Sequence, residues 1–124
     1  MDEPSHLRLG QRGEHLAEEF LKRTGLKTLH RRYSTPVGEL DLVMHDGDTL
    51  VFVEVKTRAD RRWAEPQDAV NVAKQRKLLK AAQWLINARR WAARPCRFDV
   101  VTVVLPPAGE PEIEHFRDAF VPER

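Results

Sequence analysis

Two apolar segments, ELDLVMH (39–45) and TLVFVEVKT (49–57), flank Asp46, Gly47 and Asp48, and that arrangement leaves few folds open to the chain. Asp-Gly between apolar runs signals a β-hairpin, so the chain is built around an antiparallel strand pair. Alternation puts Val51, Val53 and Val55 on one face of the second strand, and Leu50, Phe52, Glu54 and Lys56 on the other. In the first strand Leu40, Leu42 and Met44 face one way, and Glu39, Asp41 and Val43 the other. A carboxylate or ammonium in so apolar a strand costs several kcal/mol if buried without a partner. Either the strand ends are exposed, or something specific compensates these charges.

Register decides whether the charges meet. A loop at Gly47-Asp48, or over 46–49, sets Asp41 opposite Glu54 and Glu39 opposite Lys56. A loop at Asp46-Gly47 leaves Asp41 diagonal to Glu54, still within reach. An unbulged three-residue loop separates them. Facing carboxylates repel unless a cation lies between them, and Mg²⁺ accepts one or two carboxylates while keeping several waters. A lysine beside such a site can stabilise phosphate charge or help deprotonate an attacking water. The plainer alternative is an exposed cross-strand salt bridge from Lys56 to Glu39 or Glu54.

The remaining chain supplies helices and further strands. Leu16, Ala17, Phe20 and Leu21 recur at helical spacing between Gly10 and Gly25, with Gly25 as the stop. Residues 27–33 fit a first strand. A long helix runs from about Asp68 to Trp91, with Val70, Ala73, Leu78, Ala82, Leu85 and Ile86 as its apolar face. FDVVTVVL (98–105) is a nearly all-apolar, central strand, and 112–120 adds an edge strand or a short closing element. The order is α-β-β-β-α-β, with one more strand as an option: an α/β sheet with helices packed on it. Residues 1–9 read as a loose tail and 10–121 as a single domain, which suits a chain of 124 residues.

Charge is unevenly placed. Residues 56–97 hold twelve Lys or Arg against three acids, while the rest holds nine basic groups against sixteen acids. A basic surface facing a polyanion accounts for this, as does a solvated helix face. The longest apolar run, Leu50 to Val53, falls far short of the ~20 residues of a membrane span. With one cysteine, Cys96, and no signal-peptide pattern at the start, a reducing cytoplasm is expected. The five histidines lack zinc-like spacing, although His45 shares the Asp41 face, and no glycine-rich phosphate loop occurs.

GELDLVMHDGDTLVFVEVKTR, residues 38–58, closely resembles the signature of the YraN family, a group of small bacterial endonuclease candidates. That family belongs with the PD-(D/E)xK nuclease superfamily and is similar to archaeal Holliday junction resolvases. GEHLAEEFLKRTG (13–25) resembles its first helix, AVNVAKQRKLLKAAQWL (69–85) its second, and RFDVV (97–101) its following strand. The resemblance implies a restriction-endonuclease-like core with a mixed sheet of four to five strands. It makes Asp41 and Glu54 metal-binding carboxylates, Lys56 the catalytic lysine, and Glu14 the acidic residue of the first helix, with Glu18 one turn later as runner-up. Lys74 matches the basic position of the second helix, and Glu39 is a ligand or a supporting residue. No proline precedes Asp41, and Ala64 stands where the family tends to have glycine after an aromatic, here Trp63.

The expected activity is Mg²⁺- or Mn²⁺-dependent hydrolysis of phosphodiesters in DNA, branched or structured DNA among them. The alternative is a non-catalytic nucleic-acid-binding or scaffold module, and an RNA-processing nuclease is not separable by sequence. Arg58, Arg61, Arg62, Lys77 and Lys80 are the expected backbone contacts, and Trp63 a stacking partner for an unpaired base. Trp84 is expected to face the core or to be half-buried. Two-fold dimerisation follows by analogy with the resolvases.

Overall fold

The computed structural model describes residues 5–59 and 71–120, with side chains described from Arg8 onward. Helix α1 (Ser5–Arg23) leads into β1 (Lys27–Thr35), β2 (Gly38–Asp46) and β3 (Thr49–Arg58); α2 (Val72–Arg89), β4 (Cys96–Val104) and β5 (Glu112–Phe120) follow. The expected order thus holds, and the optional last strand is present. The first helix starts at Ser5 rather than Gly10, so residues 5–9 are helical instead of part of a tail. Residues 1–4 and 60–70 lie outside the described residues, and with them the Asp68 start and Val70 of the expected second helix.

The strands form one sheet in the order β1-β2-β3-β4-β5. β3 and β4 are parallel, as strands joined through a helix must be, and the other pairs are antiparallel. Each face of the sheet is covered by a helix. Ala17 and Leu21 of α1 pack with Leu42, Met44, Val51, Val53, Val55, Val101 and Val103. On the opposite face Leu78, Ala81, Ala82 and Leu85 of α2 pack with Leu40, Val43, Leu50, Phe52, Phe98 and Val100. Ala73, expected on the apolar face, is exposed. Burying each large aliphatic or aromatic chain contributes roughly 1.5–3 kcal/mol, so β3, covered on both faces, anchors the domain.

Helix ends are set by local chemistry. Gly25 (φ +105) closes α1, with its N–H on the Lys22 carbonyl and the Leu26 N–H on that of Leu21. This is the paired-bond stop that glycine favours, sealed by apolar contact between its flanks. The side chain of Asn71 caps α2 by accepting the Lys74 N–H at 2.9 Å. At the other end Arg90 takes the left-handed role (φ +58). Gly13 lets α1 reach the sheet: a Cβ there would lie 1.8 Å from the Thr57 hydroxyl of β3. That close approach brings the next residue, Glu14, to the sheet edge.

Of the registers open to the hairpin, the chain adopts the one with Gly47-Asp48 as its loop, pairing Asp46 with Thr49 and Leu42 with Val53. Gly47 has φ +60, as the first central residue of a primed turn requires. Alternation fails at one place. Leu42 and Met44 face α1, but Leu40 joins Val43 in the core beneath α2, so the two leucines do not share a face as alternation predicted. The break falls at Asp41, whose Oδ2 accepts the Val55 N–H at 3.0 Å in place of a main-chain carbonyl. Across from it on β1, Arg32 is in the left-handed region at φ +46. The strands splay there.

β4 and β5 are tied together by Asp99, a residue the sequence did not single out. Its carboxylate is fully buried and accepts from Arg97 Nε at 3.0 Å, His115 Nε2 at 2.7 Å and the Asp118 N–H at 3.0 Å. Asp118 has φ +53, in a bulge where the register shifts opposite Asp99. Burial raises the Asp99 pKa, but the bonds from His115, Arg97 and the Asp118 N–H outweigh it, and the net shift is downward. A lowered carboxylate pKa adds stability that is present above about pH 4 and lost as pH falls below it. Asp99→Asn removes the buried charge that Arg97 and His115 bind, leaving Arg97 only the more distant Asp46 at 3.7 Å, and should cost about 3 kcal/mol, a drop of roughly 10 °C in Tm at pH 7. Thermal unfolding followed from pH 7 to pH 2 checks both points: the variant should also lose part of the acid-side slope.

Candidate functional site

The break in β2 opens a cleft of about 350 Å³ lined by Gly38, Glu39, Asp41, Glu54, Lys74, Lys77 and Leu78. Gly38 lines it with φ +150, and a Cβ built there would lie 3.8 Å from the Ala81 Cβ and the Lys77 carbonyl. A side chain there would meet both a strained backbone and the flank of α2. The hairpin register brings Asp41 to the position facing Glu54, and the two carboxyl groups are within hydrogen-bonding distance. They meet as expected for a loop at Gly47-Asp48, one of the registers that the sequence leaves open.

Two carboxylates so close cannot both ionise freely. Burial, then the Glu54 charge, pushes the Asp41 pKa up to about 7, although the Val55 N–H and Lys74 act in the opposite direction. Glu54 is itself buried, and its Oε1 lies 2.5 Å from Lys74 Nζ. Burial tends to lower the lysine pKa, but the bond and charge of Glu54, with the charge of Asp41, raise it overall. Lys74 is therefore the cation that holds the pair together, supplied from α2 twenty residues downstream. The resemblance places it at the basic position of the second helix, on the Leu78 face from which it can point into the cleft, but does not pair it with Glu54.

On the α1 side of Asp41, Glu14, His15, Glu18, Arg31 and Arg32 line a second, open cleft that Asp41 and Leu42 close. Glu14 is bound to Arg32 Nε at 2.7 Å, and burial together with the charges of Asp41 and Glu39 raises its pKa against the pull of that arginine. It faces the pair from the helix, as expected. Glu18 serves another purpose. Its carboxylate accepts from Thr28 Oγ1 at 2.6 Å and Arg31 Nε at 2.7 Å, which overcomes the effect of burial and lowers its pKa. It fastens α1 to β1, and α1 offers Glu14 to the site.

The other expected residues fall at different places. Lys56 sits in β3 opposite Thr102 of β4, half-buried, and is neither in the cleft lining nor ion-paired with a described residue. Glu39 is exposed at the cleft rim. Lys77 lines the cleft, Lys80 is exposed on α2, and Arg58 is half-buried at the end of β3. Arg61, Arg62 and Trp63 lie outside the described residues. His45 belongs to the hairpin turn, with Nδ1 3.1 Å from the Gly47 carbonyl, and takes no part in the site. Trp84 is 38% exposed rather than core-facing.

Among the described residues, no three or more His, Cys, Asp or Glu side chains are grouped to enclose a metal. That leaves no zinc-like cage, but two adjoining carboxylates suit Mg²⁺ or Mn²⁺, which take few protein ligands and complete their shell with water. The Asp41–Glu54 pair has the necessary donors, and its mutual repulsion is what a divalent cation would relieve.

Fold and site define an α/β protein whose five-stranded mixed sheet, flanked by two helices, has the layout of a nuclease-like core and carries a carboxylate pair at a break in its second strand. The chain belongs to the uncharacterised protein family UPF0102, the YraN family, whose model matches residues 13–103. It is 47% identical over 112 residues to a UPF0102 protein of Stutzerimonas stutzeri, covering 90% of this chain and 92% of the relative. A UPF0102 protein of Syntrophotalea carbinolica is 48% identical over 114 residues, 92% of each chain. One from Rhodococcus opacus is 43% identical over 116 residues, 93% of this chain and 98% of that one.

Proposed function

We propose that this protein is a Mg²⁺- or Mn²⁺-dependent endonuclease acting on DNA, with structured or branched DNA as its preferred substrate. The observation that carries this reading is the Asp41–Glu54 pair, two carboxylates held in contact, with burial and the Glu54 charge pushing the Asp41 pKa up to about 7. A divalent cation held by these two groups would position and acidify the water that attacks the phosphodiester. Asp41 must release its proton to take that part, and Lys74 must yield the Glu54 oxygen it now holds. A freed Lys74 is then available to a phosphate in the same cleft. Lys56, two residues after Glu54 in β3, stabilises charge on the phosphate or orients the water. Glu14, held by Arg32, orients the water or supports the pair from α1.

Lys77 and Lys80, with Arg58, Arg61 and Arg62, hold the sugar-phosphate backbone. If about four phosphates are neutralised, log K should fall with log salt at a slope of roughly −3 to −4. Replacing Arg58, Arg61 and Arg62 by Ala should flatten the slope, and a slope left unchanged would move the footprint elsewhere. No helix among the described residues is long and apolar enough to cross a membrane. We take the protein to act in the cytoplasm, as a homodimer with one site per subunit.

One observation favours a second reading. Lys74 compensates the buried Glu54 charge from α2, as it would in a non-catalytic DNA-binding module whose carboxylates serve the fold. Cleavage of junction, flap, single-stranded and duplex DNA, and of RNA, each with Mg²⁺, Mn²⁺ or EDTA, separates the two. Metal-dependent products are expected from a junction or flap. Binding without cleavage in every lane would favour the module.

A further inference from the structure

Helix α2 presents a flank of which the proposed function uses only the lysines. Its eighteen residues include Lys74, Arg76, Lys77, Lys80 and Arg89 and no acid. Lys77, Lys80 and Trp84 follow one another at spacings of three and four residues, so they line one face of the helix. Trp84 is 38% exposed, an unusual place for an indole of this size. It is held by Tyr33 of β1, with ring centroids 6.4 Å apart, and Tyr33 in turn packs on His30 at 4.6 Å. Three aromatic rings therefore continue from α2 onto the edge strand β1. Neither Lys77 nor Lys80 forms an ion pair with a described residue, and Lys77 reaches into the cleft of Asp41 and Glu54. From Lys74 to Trp84 the helix advances about 15 Å.

We propose that Trp84, supported by Tyr33, is a stacking platform for an unpaired base of the nucleic acid, a few nucleotides from the carboxylate pair, with Lys77 and Lys80 holding the intervening phosphates. This rests on the proposed function for its ligand class and narrows it: the substrate carries a single-stranded segment beside the scissile bond. The physical grounds are complementary. An aromatic face held in place by a second ring loses little entropy when a base stacks on it. The acid-free helix flank supplies the charge that brings a phosphate backbone to it. A duplex keeps its bases stacked inside and gains only the charge term, so the platform discriminates by strand structure rather than by sequence.

The test is binding in EDTA, which keeps it independent of cleavage. Anisotropy titrations use a single-stranded oligonucleotide, a duplex, and an abasic strand of the same length and charge. The wild-type chain should prefer the base-bearing strand to the abasic one. Trp84→Leu should weaken the base-bearing strand about tenfold, within the range for one stacked base, and leave duplex and abasic strand nearly unchanged. Trp84→Phe should restore most of the loss. As the ring is on the surface, equal melting temperatures are expected for all three proteins. Equal affinity of wild type and Trp84→Leu for the base-bearing strand overturns the platform. So does an altered sedimentation state with unaltered binding, which would make Trp84 a self-association surface. Should the platform hold while no metal supports cleavage, the nuclease reading fails by itself and the binding site stands.

Discussion

Asp41→Asn should abolish metal-dependent cleavage and make the folded chain more stable at pH 8. Both effects come from one group. The Asp41 pKa is pushed up to about 7, first by burial and then by the Glu54 charge. The folded state therefore binds this proton more tightly than the unfolded chain does, and stability falls as pH rises from about 4 through 7. An amide has no proton to lose there, and its oxygen can still accept the Val55 N–H that Asp41 Oδ2 holds at 3.0 Å. At pH 8 the variant should gain about 2 kcal/mol, below the figure a shift of this size would give in full, because the cleft is open to water. Thermal unfolding at pH 5 and pH 8 reads this directly: the two proteins should differ little at pH 5 and by several degrees at pH 8. Cleavage should fall at least a hundredfold, since the proposed metal ligand has lost its charge. Cleavage at the wild-type rate would remove Asp41 from the chemistry, and a lower Tm at pH 8 would mean that the pair stabilises the fold.

The two lysines should fail in opposite ways. Lys56 lies outside the cleft lining and binds neither carboxylate, so Lys56→Ala should leave Mn²⁺ affinity near normal while the single-turnover rate falls by about two orders of magnitude. Lys74 is bonded to Glu54 at 2.5 Å and competes with a cation for that oxygen, so Lys74→Ala should bind Mn²⁺ several-fold more tightly. Its loss also leaves a buried carboxylate uncompensated, at a cost of about 1–2 kcal/mol in the metal-free protein, less than for a fully buried pair because Lys74 is 44% exposed. Added Mn²⁺ should recover that stability by mass action. Calorimetric titration, melting with and without Mn²⁺, and single-turnover cleavage on the same preparations separate the roles. A wild-type rate for Lys56→Ala with a collapsed rate for Lys74→Ala would assign the phosphate lysine to the helix.

What the chain states locally was legible without a structure. Apolar runs around Asp-Gly gave the hairpin, helical spacing gave α1 and much of α2, and the period of a strand put Asp41 and Glu54 on facing positions. These are properties of near neighbours, and backbone geometry fixes where near neighbours point. Glu14 and Glu18 mark the limit. One turn apart on α1, they look alike in sequence, yet Thr28 and Arg31 of β1 claim Glu18 and leave Glu14 facing Asp41.

The rest depends on partners distant in the chain. Leu40 changes face where β2 stops pairing with β3 and Asp41 takes the Val55 N–H, and no period announces a side chain acting as a carbonyl. Asp99 went unremarked in a nearly all-apolar strand. Its meaning lies in His115 and Asp118 of a strand whose existence the sequence left open. Lys74 reaches Glu54, and Trp84 stands clear of the core on Tyr33, because α2 docks with Leu78, Ala81, Ala82 and Leu85 inward. The sequence by itself determined most of the elements and, once the hairpin register is set, which charges share a face, since those follow from dihedral preference and burial. Only the tertiary structure decided which charges pair, because a pairing energy depends on the distance and dielectric between groups that the chain holds far apart.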